Sequence, residues 1–246
     1  MNLGLQGKTA AVAAASKGLG YGCAQALADE GVRVAICGRH EESIMEAAAD
    51  LPGDAIAIDA DLSAPEGANG FIDEAIAQLG QVDIVIANAG GPPPGTFAST
   101  TIEAYREALE LNLLSTVAMC QAAVPAMQER GWGRVVAITS IGARQPIGTL
   151  AASSTARAGV TSFLKVLATE VAGDGVTVNS IQPGIHATDR IKRLGNIEDI
   201  GKRIPTGVIG TAEDFGKAAA FLCSDAAKFI TGTGLLVDGG ANPGLL

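Results

Sequence analysis

Short apolar runs alternate with helical segments along the whole chain, and this alternation limits the possible folds more than any other feature. The runs are continuously apolar, which is typical of strands that are buried on both faces of a parallel sheet. They occupy residues 8–14, 32–37, 55–59, 82–87, 133–140, 176–181 and 235–238. Strands that alternate with helices are joined by right-handed crossovers. The sequence therefore predicts an α/β fold with a seven-stranded parallel sheet flanked by helices.

The segments between the runs have helical composition, and no linker divides them. Predicted helices include residues 18–30, 41–50, 102–130, 152–172 and 212–224, and the long helix is expected to break at Pro125. The one irregular stretch is 186–210, which is rich in glycine and charge. A long insertion inside a compact domain is more often a functional lid than a spacer. We therefore expect one doubly wound Rossmann-type domain over residues 1–246, with a substrate lid within about residues 186–210.

Composition excludes several classes of protein. The 246 residues carry a formal charge of −9 and no cluster of Lys and Arg, which argues against a general nucleic-acid surface. No run reaches the roughly 18 apolar residues of a membrane helix, and the amino terminus lacks a signal-peptide pattern. We expect a cytoplasmic protein. The four cysteines and two histidines show no zinc-binding spacing, so buried free thiols and no metal site are expected.

The first apolar run leads into a glycine-rich turn. Residues 8–20, KTAAVAAASKGLG, have the pattern of a strand, a turn and the start of a helix, which offers backbone N–H groups to a phosphate. Gly18, Gly20 and Gly22 give GxGxG, and Cys23 stands where the GxGxxG fingerprint has its third glycine. Taken alone, the turn fits a nucleotide site and an ordinary strand-to-helix turn equally well.

Further short motifs follow this turn in an informative order. They are Asp61-Leu62, Asn88-Ala89-Gly90, Asn112, Pro183-Gly184 with Thr188, and Val237-Asp238-Gly239-Gly240. Together with the turn from Ala13 to Gly20, they resemble the motifs of the short-chain dehydrogenase/reductase family along the whole chain. The family's TGxxxGxG turn has Ala14 here in place of its first glycine. The overall resemblance is greatest to the 3-oxoacyl-[acyl-carrier-protein] reductase group of that family.

The resemblance implies a nicotinamide cofactor and assigns residues to its site. These are Ala14, Ser16, Lys17, Gly18, Leu19, Gly20, Arg39, Asp61, Leu62, Asn88, Ala89, Gly90, Arg157, Pro183, Gly184 and Thr188. The second strand ends without the acidic residue that bonds the ribose 2′-hydroxyl of NAD. Lys17 and Arg39 instead offer cations to a 2′-phosphate, which favours NADP. The alternative is that both are solvated surface charges.

The catalytic part of the family's pattern is altered. In the family, a serine at the end of the fifth strand is followed by a tyrosine and a lysine. Ser140 matches the serine, and the spacing puts Ser153 at the tyrosine position and Arg157 at the lysine position. The resemblance therefore implies Asn112, Ser140, Ser153 and Arg157 as catalytic residues. A serine hydroxyl is a far weaker acid than a phenol, and arginine cannot exchange a proton near neutral pH.

Other groups near the expected cleft leave the proton donor open. Tyr21 and Tyr105 are expected to be packing residues, and His186 is either a replacement acid or an ordinary loop residue. Pro93 and Pro94 are expected to stiffen one wall of the cleft, or to form only a rigid connector. Ser140, Ser153 or Ser154 with an ordered water can supply the proton, an activated carbonyl can need less acid help, or the chain can bind NADP without turnover.

The expected function is reduction of a ketone, such as a 3-oxoacyl thioester, by an NADP-dependent oxidoreductase with an altered acid–base site. The alternative is an NADP-binding regulatory protein that has lost the chemistry. Expected partners are a small-molecule carbonyl substrate, free or carried on CoA or acyl carrier protein, and further copies of the chain in a tetramer or dimer. An acidic carrier protein needs a basic patch, for which Arg130 and Arg134 are the candidates.

Overall fold

The computed structural model describes residues 2–188 and 197–245, and the sheet in these residues has seven strands. The strands are β1 (Thr9–Val12), β2 (Arg33–Gly38), β3 (Ile56–Asp59), β4 (Ile84–Ala87), β5 (Gly133–Ile138), β6 (Val176–Pro183) and β7 (Gly234–Val237). All neighbours pair in parallel, in the order β3-β2-β1-β4-β5-β6-β7. The chain winds outward in both directions from the boundary between β1 and β4. The predicted doubly wound α/β fold is confirmed.

Helices cover both faces of the sheet. They are α1 (Gly18–Asp29), α2 (Glu41–Ala49), α3 (Pro65–Leu79), α4 (Ile102–Leu109), α5 (Ser115–Arg130), α6 (Ala151–Val171), α7 (Ile197–Gly201) and α8 (Ala212–Cys223). One face buries Leu27 of α1, Ile44 of α2 and Phe215 of α8 in a single apolar cluster. The other face buries Phe71 of α3 and the apolar sides of α5 and α6. Central strands are apolar on both faces for this reason, as the sequence predicts.

The predicted long helix contains a wide π-helical turn, Glu110–Leu114, between α4 and α5. Two hydroxyls bond carbonyls four residues back at this point: Ser115 Oγ donates to Leu111 O at 2.5 Å and Thr116 Oγ1 donates to Asn112 O at 2.8 Å. Such bonds offer the carbonyls an alternative to the regular helical pattern, and single π turns occur frequently at functional sites. The turn places Asn112 in the interior, 1% exposed.

The predicted break at Pro125 is wrong, because α5 continues through Pro125 to Arg130. Val124 and Met127, on either side of the proline, are buried in the cluster with α3 and the sheet, and this packing outweighs the missing hydrogen bond. By length and composition alone, the helical stretch Ile102–Arg130 is long and apolar enough to cross a membrane. Half of its apolar window is buried inside the structure, as in the core helix of a globular domain.

The four cysteines are free and buried, as predicted. Burial raises the pKa of the Cys37, Cys120 and Cys223 thiols to about 12 and also raises the pKa of Cys23. These thiols are therefore protonated side chains of the core at neutral pH. Across residues 2–188 and 197–245, no group of His, Cys, Asp and Glu side chains is arranged to hold a metal ion.

The proposed basic patch of Arg130 and Arg134 is not present on the surface. Arg134 is 3% exposed, and its guanidinium donates to Gly133 O and Gly175 O and lies 3.3 Å from an Asp225 carboxylate oxygen. Arg130 donates to the backbone carbonyl of Val82 at 2.7 Å. Arg134 is therefore an internal hydrogen-bond donor, and only Arg130 remains at the surface. Both lie at the amino-terminal edge of the sheet, which is opposite the edge where ligands bind in open α/β sheets.

The predicted lid can be followed only in part, because residues 189–196 lie outside the described residues. The two ends of the 186–210 stretch are bonded to each other: Ala187 N donates to Gly210 O at 2.8 Å and Gly210 N donates to Ile185 O at 3.2 Å. The short helix α7 precedes a turn in which Ile204 N donates to Gly201 O. The role of a lid stays a prediction.

Candidate active site

The turn after β1 is held by its neighbours on both sides. Ala13 N donates to Ile86 O of β4, and Ala15 N donates to Cys37 O of β2. Between them Ala14 adopts a positive φ of 47°, the one non-glycine residue among those described to do so. This is the position at which the family's motif has glycine, and the conformation is one that a side chain disfavours. The turn keeps the family's backbone shape in spite of the alanine.

The first turn of α1 is free of competing side chains. Lys17 is the N-cap residue but makes no side-chain cap, and no acidic residue occupies the first turn. The backbone N–H groups at the start of a helix lack intrahelical partners, and the helix dipole favours an anion there. The amino-terminal end of α1 therefore has the backbone N–H donors that a phosphate group requires.

Two glycines of α1 serve packing contacts. A Cβ on Gly20 would lie 2.6 Å from Ala14 O, so the tight turn requires glycine there. A Cβ on Gly22 would lie 2.1 Å from Ala212 O, so Gly22 permits the close approach of α8. The close helix contact that a third glycine serves in the dinucleotide fingerprint falls at Gly22, and Cys23 is buried in the core without conflict.

A cavity of about 700 Å³ opens at the carboxyl ends of the central strands. It lies across the boundary between β1 and β4, the switch point where open α/β sheets bind ligands. Its walls include nine of the predicted cofactor residues, Ala14, Ser16, Lys17, Arg39, Asp61, Leu62, Asn88, Ala89 and Gly90. Pro93 lines it as expected, while His40 and Glu107 were not predicted. Residues that are far apart in the sequence thus form one site.

The residues of the Asn88-Ala89-Gly90 motif are held in place by side chains. Asn88 Nδ2 donates to Ala14 O at 3.1 Å and so braces the turn after β1. Asn112 Nδ2 donates to Gly90 O at 3.0 Å from the π-helical turn. The Asn112 Oδ1 atom is buried, and none of the described residues donates a hydrogen bond to it. Asn112 therefore holds the last residue of the motif in place, while its catalytic role stays a prediction.

Arg157 is buried on α6, 7% exposed, and faces the same motif. Its Nη1 donates to Ile138 O at the end of β5, and its Nη2 donates to Ala89 O at 3.2 Å. The guanidinium thus joins the carboxyl ends of two neighbouring strands.

Two serine hydroxyls lie on either side of Gly142. A Cβ on Gly142 would lie 3.1 Å from Ser154 Oγ and 3.2 Å from Ser140 Oγ. Ser140 Oγ accepts a hydrogen bond from Gly142 N at 2.9 Å, and Ser154 Oγ accepts one from Ile147 N at 3.2 Å. Ser153 is half-buried beside them at the start of α6. Ser154, which the sequence offers as one of three candidate proton donors, is thus the hydroxyl that lies near Ser140 across Gly142.

The Pro183-Gly184 motif ends β6 close to the glycine turn. A Cβ on Gly184 would lie 2.6 Å from Asp238 Cβ, so the motif packs tightly on the residue that follows β7. The methyl group of Thr188 lies 3.6 Å from where a Cβ on Gly18 would stand. The described structure therefore brings the predicted Thr188 next to the start of α1, as a shared cofactor site requires.

His186 lies outside the large cavity. It is 3% exposed, its ring is edge-on to Phe215 with centroids 5.1 Å apart, and it lines a separate cavity of about 220 Å³. Burial lowers the pKa of His186, while the Gly184 carbonyl and the nearby Asp214 and Asp238 carboxylates act in the opposite direction. The packing favours the interpretation of His186 as a core residue over that of a replacement acid.

The two tyrosines are packing residues in the structure. Tyr21 follows the glycine turn and its hydroxyl donates to Gln25 Oε1, 3.4 Å away on the same helix. Tyr105 packs against the small buried cluster of Ala108, Ala152 and Ala156 between α4 and α6. The position at which the family has its tyrosine is therefore occupied by Ser153, and neither tyrosine of the chain stands in its place in the sequence.

These features define a class of protein before any comparison is made. A glycine turn, an uncapped helix start and a large cavity at the switch point of a parallel sheet make up a dinucleotide-binding α/β domain. The residues fit a nicotinamide dinucleotide: α1 offers amides to its phosphates, Lys17 and Arg39 line the cavity beside Asp61, and Thr188 stands at the glycine turn. Residues of the cavity wall follow β4, and Ser140 follows β5, which is the neighbouring strand in the sheet.

Comparison with known proteins gives the family. Residues 13–242 match the family model described as enoyl-(acyl carrier protein) reductase. The 3-oxoacyl-[acyl-carrier-protein] reductase of Escherichia coli (strain K12) is 32% identical over 240 residues, covering 97% of this chain and 98% of that protein. The chain belongs to the short-chain dehydrogenase/reductase family, whose members are NAD(P)-dependent oxidoreductases.

Solved structures agree with this assignment. L-Sorbose reductase from Gluconobacter frateurii, solved with NADPH and L-sorbose, has a TM-score of 0.93 at 26% identity, with 100% of each chain covered. A 7α-hydroxysteroid dehydrogenase, solved with NADH and 7-oxo glycochenodeoxycholic acid, has a TM-score of 0.92 at 30% identity, covering 100% of this chain and 98% of that one. These relatives differ in cofactor and substrate, so the family alone does not fix either.

Proposed function

We propose that this protein is an NADP-dependent reductase of a ketone, with an acid–base site in which serine replaces the usual phenol. The observation that carries the proposal is the cavity at the switch point, which places Lys17 and Arg39 in one wall and the Asn88-Ala89-Gly90 motif in another. The substrate class we propose is a 3-oxoacyl thioester or a related carbonyl compound, free or carried on CoA or acyl carrier protein. We also propose a cytoplasmic homo-oligomer.

The cofactor end of the site accounts for the preference for NADP. A 2′-phosphate adds negative charge that cations stabilise through charge-assisted hydrogen bonds. Lys17 and Arg39 are exposed residues in the cavity wall, on a chain with a net charge of −9. Their local positive charge is what an anionic ligand needs on such a protein.

The substrate end of the site offers hydrogen-bond donors. Bound nicotinamide supplies the hydride. Ser140 Oγ already accepts the amide hydrogen of Gly142, so its own hydroxyl hydrogen is the one available for a substrate carbonyl oxygen. Arg157 would add fixed positive charge near the ribose of a bound nicotinamide. Protonation of the product oxygen falls to Ser140, Ser153 or Ser154 with an ordered water.

General acid catalysis by a positioned side chain is typically worth about 10²–10⁴-fold in rate. A site without a phenol therefore favours carbonyls that accept hydride with little acid help, such as diketones. The lack of a phenol is also compatible with one alternative function, that of a protein that binds NADP and responds to it without turnover. Ser153 at the tyrosine position is the observation that favours this alternative.

Two measurements on the same preparation separate these functions. NADPH fluorescence gives the cofactor affinity, and NADPH oxidation is followed across a panel of 3-ketoacyl thioesters, diketones and quinones. Turnover of a panel member supports the reductase. Tight NADPH binding with no turnover on any member supports the binding protein, and absence of binding contradicts both.

The cofactor preference is tested by Arg39→Asp. The exchange places a carboxylate where NAD enzymes have one and removes a cation from the 2′-phosphate. We expect NADPH to bind at least about tenfold more weakly and NADH to bind as well or better. Arg33→Asp is the matched control, because Arg33 is an exposed arginine at the opposite end of the same strand and gives the same change in net charge. Equal weakening in both variants would refute a direct contact.

The oligomer is supported by the edge of the sheet. β7 is a terminal strand in the order of the described sheet, and all four of its residues are only half-buried. An unpaired edge of this kind is a ready surface for another chain. Light scattering after size exclusion gives the number of copies directly, and a monomer would contradict this part of the proposal.

A further inference from the structure

We infer that Arg157 is a positioning residue: its guanidinium clamps the carboxyl ends of β4 and β5 together and thereby fixes the Ala89-Gly90 wall of the cofactor cavity. The expected effect on cofactor binding rests on the proposed function. The clamp itself is a property of the protein alone.

The clamp begins where the regular pairing of the two strands stops. The last paired residues of β4 and β5 that precede it are Ala87 and Ala137. Arg157 donates to the carbonyls of Ile138, the next residue after Ala137, and of Ala89, two residues after Ala87. A side chain on α6 thus continues the link between the strands beyond the last backbone pair.

Three consecutive residues of the cavity wall are each tied to a different element. Asn88 reaches Ala14 O beyond β1, the Ala89 carbonyl receives Arg157, and the Gly90 carbonyl receives Asn112. The segment lies beyond β4, so side chains take over the positioning that strand pairing provides earlier. Removal of the Arg157 tie leaves the buried Ala89 carbonyl without this partner, which is costly.

Only a guanidinium suits these two acceptors. Arg157 uses two separate nitrogens of one rigid planar group for carbonyls on neighbouring strands, whereas a lysine ammonium is a compact point charge. Neighbouring strands lie about 4.8 Å apart, which the spread of a guanidinium can span. Arginine at the family's lysine position is therefore suited to bonding the backbone of both strands, besides being a different cation.

The direct test uses the unaltered protein. In nitrogen-edited NMR of the protein without cofactor, a clamped guanidinium gives resolved, slowly exchanging Nη–H signals, with couplings across the hydrogen bonds to the Ile138 and Ala89 carbonyls. The exposed Arg39 provides the reference for a solvated guanidinium. Nη–H signals of Arg157 that exchange as fast as those of Arg39 would overturn the inference.

The variant test uses Arg157→Lys, which keeps the charge, with Arg157→Gln as a second variant if the first does not fold. Amide hydrogen exchange should become faster in the segments 88–91 and 138–142 while the rest of the sheet stays protected. NADPH affinity should fall about tenfold or more. Arg134→Lys is the matched control, because Arg134 is equally buried and bonds backbone carbonyls at the opposite edge of the sheet.

The outcomes separate the inference from the proposed function. Faster local exchange and weaker NADPH binding in Arg157→Lys, with NADPH affinity unchanged in Arg134→Lys, support the clamp. Weaker NADPH binding with unchanged local exchange means that Arg157 acts only as a charge, and the inference is then wrong. If the unaltered protein binds no NADP(H), the proposed function fails, and the NMR and exchange results still decide whether the clamp exists.

Discussion

The contact between α1 and α8 gives the sharpest stability prediction, for Gly22→Ala. A Cβ at position 22 would lie 2.1 Å from Ala212 O and 2.7 Å from the Ala212 carbonyl carbon. The contact is reciprocal, because a Cβ on Gly216 would lie 2.0 Å from Gly22 O. Backbone atoms cannot rotate away as a flexible side chain can, so the methyl group must push the two helices apart.

The magnitude follows from the buried residues that would move with the helices. Leu27 of α1 and Phe215 of α8 are fully buried in the same cluster, and separation of the helices loosens their packing. Overpacking of a core typically costs about 1–3 kcal/mol, and we expect the upper end, about 3 kcal/mol, for a contact between two backbones. For a chain of this size, the unfolding midpoint should then fall by about 6–12 °C.

The assay is thermal unfolding followed by circular dichroism at matched protein concentration, with Gly70→Ala as the control. Gly70 lies in the middle of α3 with nothing within 4 Å of where its Cβ would stand. The same exchange there should stabilise the protein by about 0.5–1 kcal/mol, because alanine loses less backbone entropy than glycine. A Gly22→Ala midpoint within about 2 °C of the parent would refute the argument that the two backbones touch at this point.

Two further predictions concern the turn after β1 and the buried histidine. Ala14→Gly should stabilise the protein by about 0.5–1 kcal/mol, because φ at Ala14 is +47°, and a lower melting midpoint than the parent would contradict this. Burial lowers the pKa of His186, so the unfolded state takes up its proton first and stability is lost as the pH falls below about 6.5. In His186→Gln the drop in melting midpoint between pH 7.5 and pH 5 should be smaller, and an equal drop in both proteins would count against this origin.

The sheet could be predicted from the sequence because each central strand is apolar on both faces. The strand ends could not. The first run was predicted over residues 8–14, but β1 is Thr9–Val12, because Ala13, Ala14 and Ala15 leave the strand while remaining largely buried in the turn. Hydropathy indicates which residues are buried, but it does not indicate which residues share the hydrogen-bond pattern of a strand. For the same reason, the residues that line the cavity could be predicted better than the points at which the strands end.

The features that the sequence did not predict depend on contacts between distant residues. The π-helical turn at Asn112 changes which carbonyl each amide bonds, and this leaves no mark in the helical period. The contact of Gly22 with Ala212 joins residues that are far apart in the chain. Arg134 was taken for a surface cation because charge usually indicates exposure, but internal carbonyls and Asp225 hold it.

Ser153 and Arg157 both depart from the family's pattern. Restoring tyrosine at position 153 and lysine at position 157 is predicted to have opposite effects on catalysis. Ser153→Tyr returns a phenol to the start of α6, at the family's tyrosine position, and a positioned acid is typically worth about 10²–10⁴-fold. On a ketone that the parent reduces slowly, kcat should therefore rise at least about tenfold. Adding Arg157→Lys restores the family's full pattern but removes the donors to Ile138 and Ala89.

If Arg157 clamps the cavity wall, the double variant should show a higher KM for NADPH and a lower kcat/KM than Ser153→Tyr alone. Steady-state kinetics with saturating ketone and varied NADPH measure both quantities, and Ser153→Ala serves as the control for loss of the serine. A double variant that exceeds the single one in kcat/KM would mean that lysine suits this site better than arginine. The serine and the arginine would then be two parts of one lost acid–base pair, and the clamp would have no bearing on catalysis.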